Sequence, residues 1–182
     1  MTTSKTFVAL LRGINVGGKS LISMAELRAL LSSLGFEDVV TYIQSGNVVF
    51  RSAIADEAAV AAELEREIAG ALDVSPSVLL RTPGELETIA ASNPFLSRKA
   101  DVTKLHVVFL DRAPAASAAA ELDPERSPPD EFALKGRDLF LHLPNGAGRS
   151  KLTLDYLERV LGVRGTQRNW KTLLELLALM QR

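Results

Sequence analysis

Apolar residues recur along this chain at two different spacings, and the switch between them predicts its elements. TFVALLR (6–12) is apolar enough for a strand buried on both faces. After a glycine-rich turn, Leu27, Leu30, Leu31 and Leu34 fall at helical spacing. SMAE supplies a capping box for that helix, with Ser23 as N-cap and Glu26 three residues on, and Gly35 is its stop signal. VVTYIQ (39–44) and NVVFRS (47–52) are two β-rich runs separated by Ser45-Gly46, which predicts a hairpin. Val60, Leu64, Ile68 and Leu72 share one side of a helix over 56–72, and SVLLRT (77–82) is the next strand. PGELETIAAS opens at Pro83 as a short connecting helix and ends before Asn93-Pro94.

The theme then repeats. KLHVVFLD (104–111) is a strand, and APAASAAAEL (113–122) is an alanine-rich helix opened by Pro114. EFALKG and RDLFLHL meet at Gly136-Arg137 as a second hairpin. Leu154, Leu157 and Leu161 lie on one side of a helix over 151–162, for which Ser150 is the expected N-cap. An extended piece over 163–168 and a helix over NWKTLLELLALMQ complete the chain. The order β-α-β-β-α-β, met twice, predicts a duplicated ferredoxin-like α+β fold with antiparallel sheets and an extra C-terminal helix. The repeats are expected over 1–98, including the connecting helix, and 99–182.

Composition narrows the function classes. With 47% apolar residues in 182, the chain can bury a substantial core. Its 21 basic and 22 acidic residues leave a net charge of −1, so no global field draws nucleic acid or anionic lipid, and any basic site is local. The absence of cysteine removes disulfides, thiolate nucleophiles and cysteine–zinc sites. Without a signal-peptide pattern or a long apolar span, the expected setting is a soluble, bacterial-type cytoplasmic one, away from membranes. The sequence carries no signature of oligomeric state, of a cofactor or of a metal site. His106 and His142 sit in apolar strand runs and read as strand histidines, not ligands.

GINVGGKS (13–20) fits the phosphate-loop pattern G-x-x-x-x-G-K-[ST]. A working loop of that kind needs its helix to start at the lysine, within a parallel sheet. Here the better cap is Ser23, and the helix leads into an antiparallel hairpin. Gly13, Gly17 and Gly18 therefore read as a tight, backbone-exposed turn and an anion nest, not an NTPase motif. HVVFLD also ends in Asp111, where such an enzyme would hold magnesium, but Arg112 follows it.

LLRGINVGGKSLISMAELRALLSSLGF with TYIQSGNVVF, LPNGAGRSKLT (143–153) and TQRNWKTLLEL (166–176) together resemble the DUF1697 family of uncharacterised bacterial proteins. The resemblance covers nearly the whole chain. It implies the same duplicated ferredoxin-like fold, and a glycine loop that commonly reads RGINVGG without a required Lys-Ser pair. It implies no activity.

Three stretches carry polar side chains that core packing does not require: Arg12, Asn15 and Lys19 with Gly17 and Gly18 in the first turn; Tyr42, Gln44, Ser45 and Asn47 at the first hairpin; and Arg149, Ser150, Lys151 with Arg168, Asn169, Trp170 and Lys171. Pooled in a polar cleft between the repeats, the cations would bind a small anionic metabolite or nucleotide while the amides orient it. The competing reading is loop rigidification, with amides bonding backbone, Ser150 acting as a cap and Trp170 as a core anchor. Two alternatives remain open. One is RNA binding through an RRM-like topology, disfavoured by only 5% aromatics and the slight negative charge. The other is an enzyme of unknown reaction using the same Arg/Asn/Lys cluster.

Overall fold

The structure, a computed structural model, describes residues 4–18 and 21–182. Eight strands form two four-stranded antiparallel sheets in a mixed α+β chain, with six α-helices among the described residues. In the first sheet β1 (Lys5–Arg12), β2 (Glu37–Tyr42), β3 (Asn47–Ser52) and β4 (Ser77–Arg81) lie in the order β2-β3-β1-β4. In the second, β5 (Leu105–Leu110), β6 (Glu131–Lys135), β7 (Asp138–His142) and β8 (Gly165–Asn169) lie in the order β6-β7-β5-β8. The two sheets are thus repeats of one arrangement. Contacts divide the chain into two compact units, Met1–Glu87 with Glu175–Arg182, and Thr88–Leu174.

In the first unit, α1 (Met24–Ser33) and α2 (Glu57–Leu72) cover one face of the sheet. Strand alternation sends Phe7, Ala9 and Leu11 of β1 and Val48 and Phe50 of β3 to that face, where they meet Leu27, Leu31, Val60, Leu64 and Ile68. Both helices are capped as their sequences require. Ser23 accepts from the amides of Ala25 and Glu26, and Asp56 from those of Ala58 and Ala59. The other face of the sheet is buried as well, through Val8, Leu10, Val49, Leu79 and, unexpectedly for a cation, Arg81. In the second unit α5 (Leu154–Leu161) packs Tyr156, Leu157 and Leu161 against Val108, Leu110, Leu139 and Leu141. α3 (Pro83–Ser92) and α6 (Trp170–Met180) follow the last strand of each sheet.

Several elements differ from their sequence-based expectation. The first hairpin turn spans four residues, 43–46, rather than Ser45-Gly46 alone, because Ile43 leaves the strand with φ +47°. β2 starts two residues earlier than expected, at Glu37, and carries a bulge with Asp38 at φ +51°. The alanine-rich helix α4 is only five residues, Ala116–Ala120, since no side chain caps it. The helix expected from Lys151 begins at Leu154, and its N-cap is Thr153, whose hydroxyl accepts from the Tyr156 amide. Ser150 instead closes a 3-10 turn over Ala147–Arg149 and accepts from the Leu152 amide. No helix among the described residues is long and apolar enough to cross a membrane.

Candidate functional site

At the end of the first unit where β1 finishes, the glycine turn and the first hairpin come together. Antiparallel pairing of Leu10 with Asn47 puts the hairpin turn beside the residues that leave β1, and the Leu11 amide donates to the Gly46 carbonyl at 2.9 Å. Asn15 ties the two. Its Nδ2 donates to the Gln44 carbonyl at 2.8 Å and the Ile22 carbonyl at 3.3 Å, and its Oδ1 accepts from the Ile22 amide at 2.9 Å. One amide thus joins the start of the loop, its end and the hairpin. Asn15 itself sits at φ +52°, a left-handed conformation that asparagine tolerates better than most residues. Asn47 is buried, and its Nδ2 donates to the Tyr42 carbonyl at 3.0 Å. The amides of Asn15 and Asn47 are therefore spent on backbone carbonyls.

Around that bracket the surface is open. Gly17 and Gly18 are exposed at φ +58° and +74° with free space around them, and Gly13 has φ +78°. Arg12 is half-buried at the base of the turn, while Tyr42 and Ser45 are half-buried and Gln44 exposed at the hairpin. Val16, Leu21 and Ile43 present aliphatic side chains to solvent, the first two at 68%. Lys19, and Ser20 of the phosphate-loop pattern, lie outside the described residues. The helix that follows starts only at Met24, and β1 pairs antiparallel with both neighbours, so the surroundings are not those of a nucleotide-hydrolysing loop.

The third polar stretch lies wholly in the second unit, at the end where β5 starts. Arg149 and Lys151 are exposed, and the Lys151 amide donates to Ser127 Oγ at 3.0 Å. Arg168 is buried. Its Nη1 donates to Thr166 Oγ1 at 2.7 Å and to the Gln167 carbonyl at 2.9 Å, and burial lowers its pKa to about 10. Arg168 pairs with Val107 in the second sheet as Arg81 pairs with Val8 in the first, so the two buried guanidiniums occupy equivalent positions. Asn169 caps α6, its Oδ1 accepting from the Thr172 amide at 2.8 Å, and Trp170 is buried at 3% exposure. Lys171 is exposed.

Two groupings escape a reading by motif. Glu131 and His142 are directly paired across the second hairpin, and His142 Nδ1 lies 3.3 Å from Glu131 Oε1. Arg98 Nη2 donates to Glu131 Oε2 at 2.8 Å, and the Phe95 ring sits 5.6 Å from that of His142. The bond from Arg98, followed by that from His142, holds the Glu131 carboxyl below its ordinary value. The hairpin register contains this pair already: Lys135 opposite Asp138 implies Glu131 opposite His142. His106 is half-buried, which lowers its pKa. The second grouping surrounds Asp111, where Arg112 Nη1 at 3.2 Å and Arg164 Nε at 3.5 Å contact one carboxylate oxygen and the Arg164 amide donates to the other. That carboxylate is engaged by cations, and no group of three or more His, Asp or Glu among the described residues is arranged to hold a metal ion.

A mixed α+β chain with two like four-stranded antiparallel sheets, and with its exposed polar turns at strand ends, defines the class of protein. The chain belongs to the DUF1697 family, described as a protein of unknown function, whose model matches residues 4–140. It is similar to the solved structure of the conserved bacterial protein SP0830 from Streptococcus pneumoniae, at 25% identity and a TM-score of 0.75 over 98% of this chain and 99% of that one. Among curated proteins none matches the chain.

Proposed function

We propose that this protein is a binding module for a small anionic metabolite or nucleotide, seated where the glycine turn meets the first hairpin. The observation that carries this reading is the Asn15 bracket. Three hydrogen bonds from one side chain hold an exposed, glycine-rich backbone in place. A turn fixed in advance loses little conformational entropy on binding, which favours affinity. Gly17 and Gly18, exposed and at positive φ, carry no side chain that would keep a ligand from the turn's backbone. Arg12 at the base of the turn supplies the charge for a charge-assisted bond. Arg149, Lys151, Arg168 and Trp170 belong to the second unit and do not enter this reading.

Each repeat, 1–98 and 99–182, is read as ferredoxin-like; the matching strand orders β2-β3-β1-β4 and β6-β7-β5-β8 support this.

A thermal-shift screen with inorganic phosphate, nucleoside mono-, di- and triphosphates and phosphorylated sugars tests the binding reading. A ligand selective for the folded state raises the melting temperature by mass action. At least one anion is expected to raise it in the native protein, and Arg12→Gln is expected to abolish that rise while the protein stays folded. If no anion shifts the transition, or Arg12→Gln responds like the native protein, the binding reading fails.

A further inference from the structure

A concave site lies in the first unit, on the face of the sheet away from α1 and α2. A pocket of about 370 Å³ opens there between β2, β3 and the start of β1 on one side and the end of α6 on the other. Ligand sites for small molecules start at about 300 Å³. Val40 and Val49, cross-strand partners on β2 and β3, form one wall, and Leu179 and Met180 form the other. Val40 is 42% exposed although it faces this apolar wall, so the pocket is open to solvent. Met180, with a flexible and polarisable side chain, suits a wall that adapts to a guest.

The mouth is charged. Arg51, Arg182 and Asp38 line it, two guanidiniums against one carboxylate. Arg182 makes no hydrogen bond or ion pair among the described residues. Arg51 Nη1 lies 3.1 Å from Asp38 Oδ2 and its Nη2 3.9 Å from Glu37 Oε2, with all three side chains 45% exposed or more. Exposed pairs of that kind are weak and readily exchanged. A ligand carboxylate that takes both oxygens to a guanidinium makes a stronger contact than either. Asp38 is turned out by the bulge where the register of β2 shifts, a feature that commonly adjoins binding sites.

We propose that this pocket binds a small organic monocarboxylate, its apolar body between Val40, Val49, Leu179 and Met180 and its carboxylate against Arg182 and Arg51. The site is separate from the glycine turn and does not depend on the anion reading given for it.

Octanoate, titrated into the full chain by calorimetry, is the probe, with 1-octanol and octylamine as charge controls of equal chain length. Octanoate is expected to bind saturably with one site per chain, octanol about tenfold more weakly and octylamine more weakly still, since one charge-assisted contact distinguishes them. Arg182→Gln, a surface change, is expected to weaken octanoate about tenfold and leave octanol unaltered. Val40→Trp, at an exposed strand position that accepts an aromatic residue, fills the pocket and is expected to remove both. No saturable octanoate binding, equal affinity for octanoate and octanol, or an unchanged octanoate isotherm in Arg182→Gln each overturns the proposal. So does undiminished binding in a folded Val40→Trp protein.

Discussion

Gly46 is the position where a single methyl group tests the packing of the turn against the hairpin. It sits at φ +73°, and a Cβ built on it would lie 2.6 Å from Ile14 Cδ1 and 2.8 Å from Leu11 Cβ. Ile14 Cδ1 is the far end of a side chain and can rotate away. Leu11 Cβ is attached directly to the β1 backbone, so relief there requires the strand or the turn to move. The left-handed conformation costs a non-glycine residue about 1 kcal/mol. Overpacking of a closed contact adds about 1–3 kcal/mol. Gly46→Ala is therefore expected to destabilise the protein by about 3 kcal/mol, which for a chain of this size lowers the melting temperature by ~6–12 °C. Calorimetry or circular-dichroism melting measures it. Gly70, inside α2 with nothing within 4 Å of its built Cβ, is the matched control. Gly70→Ala is expected to raise stability by about 0.5–1 kcal/mol through helix propensity. A drop of less than about 2 °C for Gly46→Ala would show that the turn is not packed against β1 as described.

Other changes probe separate parts of the structure. Ile43 is a β-branched residue exposed at φ +47°, so Ile43→Asn is expected to gain about 1 kcal/mol in chemical denaturation, and a loss would contradict the turn geometry. Thr153→Ala removes the true cap of α5 and is expected to cost about 1 kcal/mol, more than Ser150→Ala; the reverse order would restore Ser150 as the cap. Glu131 has its carboxyl lowered below 4.5 mainly by Arg98, so that pairing stabilises the folded protein above the unfolded value and is lost as the pH falls through the folded one. Arg98→Gln is expected to lose less stability than the native protein between about pH 6 and pH 3, and parallel pH curves would rule the coupling out.

Much of the fold was legible because it is written in short-range terms. Ser23 and Asp56 cap helices through amides two and three residues away, and the second hairpin forms at the predicted Gly136-Arg137. Ser150 does not cap α5, and the reason is physical. Both Ser150 and Thr153 accept from a nearby amide, and the choice between them depends on the 3-10 turn before Ser150 and on a bond from the Lys151 amide to Ser127, 24 residues away. The candidate site divides in the same way. Positive φ at the turn glycines followed from their identity, whereas Asn15 serving as a bracket required the Gln44 carbonyl to arrive from 29 residues further along.

The chain on its own therefore determines its elements, most of its caps and the repeat of strand–helix order, since these depend on residues within a few positions of one another. It does not determine which strand faces are buried a second time. Arg81 stands near the end of the strand run SVLLRT and Arg168 is one of the cations expected at the ligand cleft, yet tertiary structure buries both guanidiniums. The pocket at Val40 likewise exists only because the end of α6, more than a hundred residues later in the sequence, returns to the first sheet. Such contacts depend on where distant segments pack, and no local spacing encodes that.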